Sequence, residues 1–428
     1  AHLVSHPLLR LCMHLDDRWP LQLCDAIEVV HHHKDDCIFA PCTTAKAAYV
    51  LIDGAILYAQ TPGSSMVAEE WSVELSHRCW LSQAALWSEW LHVGELTATE
   101  PCQVLEVNAD ACAQAFMGNR VVGTLASEYC RCFHACLAAA KPPMAEWPND
   151  IEVQFTGFGD IVSTMTRESR INIAMVSSHM VEAKAGFLQS SAATDQLRAE
   201  LLDEVSAGKS VLVLAPNGDL ERVLSLAVLR LSEQDGRVLV QLASWDGREL
   251  KPDGKLPAAK CLEAETVPET LGRLLGGKLN LQMEAVELKR VVAESTKQAS
   301  KKYGLNTSYL RRVCFAELLN PWEADECQLY SQTAGMGMGA QSSVGSFVDR
   351  RIGFRAPRPF SKNEARMMAS TDVSTNPVYY IGERSKGSVY TWLFPEEFEL
   401  FSRSSGAEVL AAWVERIDLA TLQSAVAI

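Results

Sequence analysis

The sequence predicts an α+β protein: an N-terminal antiparallel β-roll with flanking helices, followed by a mainly antiparallel α+β domain. Three features predict this. Apolar residues in 3–30 recur at helical spacing, and from His31 to about Val107 short apolar runs alternate with turn residues instead. Residues 109–140 return to a helical pattern. Farther on, Asn217-Gly218, Asp235-Gly236 and Asp246-Gly247 punctuate apolar runs at the spacing of an antiparallel meander.

The elements follow in order. Leu3, Leu8, Leu9, Leu11 and Leu15, then Leu21, Leu23 and Ile27, carry the first helical stretch, with Pro20 as punctuation. Tyr49-Val50-Leu51-Ile52 and Ala55-Ile56-Leu57-Tyr58 flank Asp53-Gly54, which predicts a hairpin because glycine accepts a positive φ. Residues 102–107 read as the last strand of the roll. Lys141-Pro142-Pro143 ends the helix at 109–140, since proline cannot continue one. The first domain is therefore expected over 1–140 and a linker over 141–150.

The second domain is expected over 151–330. Ile151-Glu152-Val153-Gln154-Phe155 alternates like a strand, and 180–206 reads as helix. Residues 210–214 and 237–243 read as strands, and 220–231 as a long strand or helix. Residues 266–275 read as a helix, with Pro268 near its start and Gly276-Gly277 as its stop. The Gly/Ser-rich segment 331–347 has the composition of a flexible linker. In 348–428, strands at 378–381 and 388–393 form a hairpin across Ser385-Lys386-Gly387. Helices at 395–402 and 406–417 close the chain and pack on the second domain. No internal repeat is evident.

Composition narrows the function. At 48% hydrophobic and 21% charged residues, 428 residues suffice for two or three domains with real cores. A net charge of −14 disfavours nucleic acid as a partner, because phosphates need basic surface. The 13 cysteines form no C-x-x-C pair and no regular framework, which points to reduced thiols and a cytoplasmic compartment. No apolar run reaches the ~18 residues of a membrane helix. Asp16, Asp17 and Arg18 interrupt the N-terminal apolar stretch, so it does not read as a signal peptide. A chain that opens on Ala1 is expected to be a piece of something longer.

Helices, an antiparallel roll and a long helix follow one another as in a cyclic-nucleotide-binding domain, and specific residues carry the resemblance. Cys37-Ile38-Phe39 and the stretch from Ala48 to Ile56 resemble the family's strands around its conserved glycine turn. Trp80-Leu81-Ser82-Gln83-Ala84-Ala85-Leu86 sits where the family has its phosphate-binding cassette, and Thr97-Ala98-Thr99-Glu100-Pro101-Cys102-Gln103-Val104-Leu105 resembles the strand after it. The cassette region with Trp80, Trp87, Trp90 and His92 is most similar to the cytosolic tails of protist voltage-gated and cyclic-nucleotide-gated-type cation channels. The resemblance covers about the first third of the chain.

The resemblance assigns roles within the cassette. The family's glycine, which opens backbone amides toward the cyclic phosphate, is Ser82 here. Its ribose-binding glutamate is Gln83, and its phosphate-binding arginine falls on His92. Glu95 falls near the family's Ser/Thr, where a carboxylate repels an anion. No arginine lies between Arg78 and Arg120. The site made of Trp80, Ser82, Gln83, Ala84, Ala85, Leu86, His92 and Glu95 is therefore degenerate. A lost charge contact costs ~2–5 kcal/mol, so cAMP and cGMP are disfavoured and no cofactor is expected. The tryptophans supply either a pocket lining, an intrinsic plug or ordinary core.

Other motifs weigh less. His31-His32-His33 with His14 suggests a metal, but adjacent strand residues point to opposite faces and a solvated strand is the simpler reading. In Cys130-x-Cys132-x-His134-x-Cys136, helical geometry pairs 130 with 134 and 132 with 136 on different faces, whereas one tetrahedral zinc needs all four together. Gly208-Lys209-Ser210 ends like a phosphate-binding loop, but Asp203 stands where its first glycine belongs. Gly335-x-Gly337-x-Gly339 lacks the dinucleotide spacing. Arg350, Arg351, Arg355 and Arg358, interleaved with Phe354 and Phe360, read as an exposed loop or a dock for anionic lipid or an acidic surface. No catalytic or metal residue is assigned, and the chain is not expected to be an enzyme.

The resulting expectation is an intracellular regulatory or assembly module of an ion-channel-like protein. Its partners would be the channel's transmembrane domain or other subunits, with a homo-oligomer possible. Two alternatives stay open: a cytosolic nucleotide sensor with a rearranged cassette, or a scaffold or enzyme activity in 151–428.

Overall fold

The computed structural model describes residues 3–76, 79–185, 192–215, 217–262, 265–300, 302–320, 329–330, 376, 378–383, 385–402, 404–415 and 417. The fold is α+β with antiparallel sheets, in two compact units. One holds Ala1–Leu226, Lys260–Thr266 and Val291–Arg312; the other holds Ala227–Ala259, Val267–Arg290 and Val313–Ile428.

The first unit opens with helices α1 (Pro7–Leu15) and α2 (Trp19–Cys24), each with proline in its first turn, where no amide partner is lost. The strands that follow are β1 (Ile27–His32), β2 (Cys37–Phe39), β3 (Ala47–Asp53), β4 (Ile56–Gln60), β5 (Trp71–Leu75), β6 (Trp80–Leu81), β7 (Glu95–Ala98) and β8 (Cys102–Asn108). They form two four-stranded antiparallel sheets, ordered β1-β8-β3-β6 and β2-β7-β4-β5. Tyr49 and Leu51 of β3 meet Ile56 and Tyr58 of β4 in the core between the sheets. The Asp53-Gly54 turn is present, but β3 and β4 do not pair with each other: each joins a different sheet. The expected hairpin is thus a corner between sheets. Gly54 has φ +90°, and a Cβ there would lie 2.5 Å from Cys102 Cβ.

Helices α3 (Ala109–Met117) and α4 (Arg120–Ala139) split the single helix expected at 109–140. The break falls at Asn119, whose side chain caps α4 by accepting from Val121 and Val122 N–H. Trp19 stacks on Phe116 in a core that also holds Trp87, Tyr129 and Phe133. Residues 151–155, expected as a strand, are irregular: Asn149 Oδ1 accepts from Ile151 and Glu152 N–H, and Phe155 takes a positive φ. Helices α5 (Phe158–Thr164), α6 (Arg167–Ala185) and α7 (Ala192–Ser206) and strand β9 (Val211–Leu214) follow. The expected helix at 180–206 begins earlier, in α6, and its other described residues lie in α7.

Strand β10 (Leu220–Ser232) pairs antiparallel with β9 and continues into the second unit. There β11 (Val238–Trp245) pairs with β12 (Leu250–Lys255), and the turn glycines Gly218, Gly236 and Gly247 all have positive φ, as the Asx-Gly pairs predict. Strand β13 (Ala258–Lys260) precedes α8 (Val267–Leu274), which runs on through a wider turn to Leu279, so Gly276-Gly277 does not stop it. Two long strands without any sequence expectation come next, β14 (Val286–Ala299) and β15 (Asn306–Leu318). After β16 (Leu329–Tyr330), the expected hairpin is β17 (Val378–Glu383) and β18 (Lys386–Leu393), with β18 against β11. Helices Pro395–Ser402 and Ser404–Val414 bring Phe401, Leu410 and Trp413 onto Val240, Leu242 and Val389. The 331–347 segment and Arg350, Arg351, Arg355 and Arg358 lie outside the described residues.

Candidate functional site

The cassette forms a short 3-10 turn, Gln83–Leu86, after β6. Ser82, ahead of it, adopts φ 50° and ψ 33°, the left-handed conformation that glycine takes most easily. Ala84, Ala85 and Leu86 are buried. The next segment is held by backbone bonds from Cys42 N to His92 O (2.7 Å) and from His92 N to Thr43 O (3.0 Å). The His92 ring stacks on Phe39 with centroids 3.8 Å apart.

This frame encloses a carboxylate that the sequence does not announce. Asp150 is fully buried at its side chain. Its Oδ2 accepts from Tyr58 Oη (2.9 Å), Val93 N (3.0 Å) and Gly94 N (3.1 Å). Its Oδ1 accepts from Trp90 Nε1 and His92 Nδ1, both at 2.8 Å. An ionised carboxylate only accepts, so the bond places a proton on Nδ1 of His92. The Asp150 carbonyl accepts from Ser82 N at 2.5 Å. A buried charge is tolerated only when its lone pairs are satisfied, and five donors do that here.

Local chemistry explains why these groups converge. Burial, reinforced by Asp150, pushes the Tyr58 phenol up, so the hydroxyl stays protonated and donates. A Cβ on Gly94 would sit 2.5 Å from the Tyr58 phenol, so only glycine lets the amide reach the carboxylate. The Asn149 turn reverses the chain immediately beside Asp150, and Ile151 packs on the core between the sheets. Residues 141–150, expected as a linker, thus lie inside the first unit as a strap anchored in the roll.

Of the residues singled out in the sequence, Trp90 and His92 meet at the carboxylate, and Ser82 donates to the Asp150 carbonyl. Trp80 and Trp87 instead pack with His6 against the core that holds Tyr129. Gln83 is half-buried at the start of the turn. Glu95 is exposed on β7, where its Oε1 accepts from Thr97 Oγ1, so it does not face the anion position. Tyr58, Val93, Gly94 and Asp150 complete the site without a cassette assignment in the sequence.

The other motifs do not assemble. Among the described residues, no group of three or more His, Cys, Asp or Glu is placed to hold a metal ion. Cys130 and Cys136 have thiols pushed up to about 11 by burial, which keeps them protonated. His134 Nδ1 lies 2.8 Å from Ser88 Oγ. Gly208-Lys209-Ser210 follows the end of α7 and leads into β9, the reverse of a loop that opens a helix, and Ser210 donates to Glu204. No described helix is long and apolar enough to cross a membrane.

No family model matches the chain, and no curated protein matches it. Among solved structures, it is similar to the N-terminal domain of a transcriptional regulator from Streptomyces coelicolor A3(2), at 17% identity over 32% of this chain and 90% of that one, TM-score 0.26. The sensor domain of the transcriptional regulator DNR from Pseudomonas aeruginosa matches at 19% identity over 29% and 83%, TM-score 0.24. The C-linker and cyclic-nucleotide-binding homology domain of zELK channels matches at 9% identity over 24% and 55%, TM-score 0.20.

Proposed function

We propose that residues 1–150 are a regulatory roll of the cyclic-nucleotide-binding type whose anion site is filled by the chain's own Asp150. The supporting observation is the cage itself. The His92 ring and the amides of Val93 and Gly94 hold the Asp150 carboxylate, and the Ser82 amide holds the Asp150 carbonyl; of these, Ser82 and His92 are the positions the resemblance assigns to a cyclic phosphate. A nucleotide would have to expel a buried carboxylate, and breaking such a pairing costs ~3–5 kcal/mol. That is a loss of roughly two to four orders of magnitude in affinity.

A self-filled roll keeps one conformation. Its role is then to assemble or hold a larger protein, without reporting nucleotide level. The channel-tail resemblance makes an ion-channel-like parent on the cytosolic side of a membrane the favoured setting, with its transmembrane region or further subunits as partners. In this reading the chain needs no cofactor and is not an enzyme.

The test is calorimetric titration and thermal melting of the chain with millimolar cAMP and cGMP. A ligand that binds only the folded state raises the melting temperature. No heat and no shift are expected. Micromolar affinity for either nucleotide overturns the reading in favour of a sensor with a rearranged cassette.

A further inference from the structure

Beside the caged carboxylate, the first unit carries an open surface pocket of about 600 Å³. Leu137 at the end of α4, Lys141, Trp147 and Pro148 line it from the strap. Met66 lines it from the connection between β4 and β5, and Trp90 from the cassette. Such a volume falls within the ~300–1,000 Å³ of small-molecule sites.

The charge of the lining stands out against the chain. The protein carries 53 acidic and 39 basic residues, yet no Asp or Glu is among the described lining residues, and Lys141 is the one charged group there. Lys141 makes no ion pair among the described residues. Trp147 and Met66 keep 43% and 66% of their surface exposed at this place. Large apolar side chains left open around a lone ammonium suit a ligand with an apolar body and one negative group.

We propose that this cavity binds a small organic anion, a carboxylate or sulfonate on an aryl or alkyl body, with its charge on Lys141 and its body against Trp90 and Trp147. Trp90 connects this site to the cage, because its indole N–H holds Asp150 Oδ1 at 2.8 Å. An occupant would touch both the end of α4 at Leu137 and the strap at Trp147 and Pro148. The inference rests on the preceding reading only in taking Asp150 as the strap's anchor.

The probe is 8-anilinonaphthalene-1-sulfonate, titrated into the whole chain by fluorescence and calorimetry. Saturable binding of one probe per chain is expected, weakened about tenfold or more by Lys141→Glu and by Trp147→Ala. Lys34→Glu, an exposed charge outside the cavity, leaves it unchanged. Circular dichroism and melting of each variant establish that it is folded. Absence of saturable binding, or equal affinity in all variants, overturns the proposal. So does loss of affinity in Trp147→Ala with none in Lys141→Glu. Titrating cAMP alongside separates the two conclusions. Lys141-dependent probe binding in a chain that also binds cAMP removes the self-filled roll and leaves this site. A chain that binds neither removes this site and leaves the self-filled roll.

Discussion

Asp150 Oδ1 lies 2.8 Å from His92 Nδ1, although the two residues are 58 positions apart. Between them the chain completes β7 and β8, runs out along α3 and α4, and returns. The bond therefore joins the segment that follows α4 to the cassette. It anchors the strap's last residue inside the roll.

Asp150→Ala should remove that anchor and leave Tyr58, Trp90, His92 and two amides without their acceptor. Breaking one side of a buried pair costs ~3–5 kcal/mol. Asp150→Asn keeps one acceptor oxygen but turns an amide N–H₂ toward donors, so its loss should be smaller and still clear. Urea denaturation of the three proteins checks the order. A loss below about 1 kcal/mol for Asp150→Ala would show that the cage does not hold the strap.

His6 gives the roll a pH dependence. It is buried against Trp80, Trp87 and Tyr129, and desolvation lowers its pKa from 6.5 to about 4. The unfolded chain takes a proton near pH 6.5 that the folded chain refuses until about pH 4. Stability therefore falls as pH drops through that window and is unaffected by this residue above it. The full loss is on the order of 3 kcal/mol. Urea midpoints measured from pH 7.5 down to pH 4.5 should decline in the native protein and flatten in His6→Phe. An equal slope in both would assign the acid sensitivity elsewhere.

Gly54 stands at the corner where the chain leaves one sheet for the other. Alanine there must hold φ +90° and place its Cβ 2.7 Å from Pro101 O and 2.5 Å from Cys102 Cβ. Backbone strain alone costs ~1–3 kcal/mol, and the overlap adds a similar amount. Gly236 has φ +87° but open space around it, so Gly236→Ala carries the strain alone. The two melting temperatures compared side by side should show the larger drop for Gly54→Ala.

Glu128 of α4 caps the start of α6. Its carboxylate accepts from Thr166 N (2.5 Å), Thr166 Oγ1 (3.2 Å) and Ser169 Oγ. Glu128→Ala should cost ~0.5–2 kcal/mol, as for other lost N-terminal caps. Hydrogen exchange should quicken at amides 166–170, while those of β8 stay protected. Uniform exchange across both segments would mean the cap is energetically idle.

The order of helix, roll, helix and meander is legible in the sequence because its signals are local. Apolar spacing reports one face of an element, and Asx-Gly pairs report a positive φ. The start of β8 and the turns at Gly218, Gly236 and Gly247 follow directly. Strand β14 escapes because charge hides its period: it is exposed along most of its length and reads as solvated chain. The single helix expected at 109–140 fails at Asn119, where a side-chain cap begins a new helix.

By itself the sequence determined most of the local turns and element types, the residue types at Ser82 and His92, and the acidic charge balance. Tertiary structure alone decided which strands pair, since Asp53-Gly54 dictates a reversal but not the sheet that receives it. It alone decided that Asp150 is caged in the roll. A lone carboxylate after a proline-rich stretch is indistinguishable from a solvated one until the fold returns it to Tyr58, Trp90, His92 and the amides of Val93 and Gly94. Burial and convergence are properties of distance in space, and separation along the chain does not encode them.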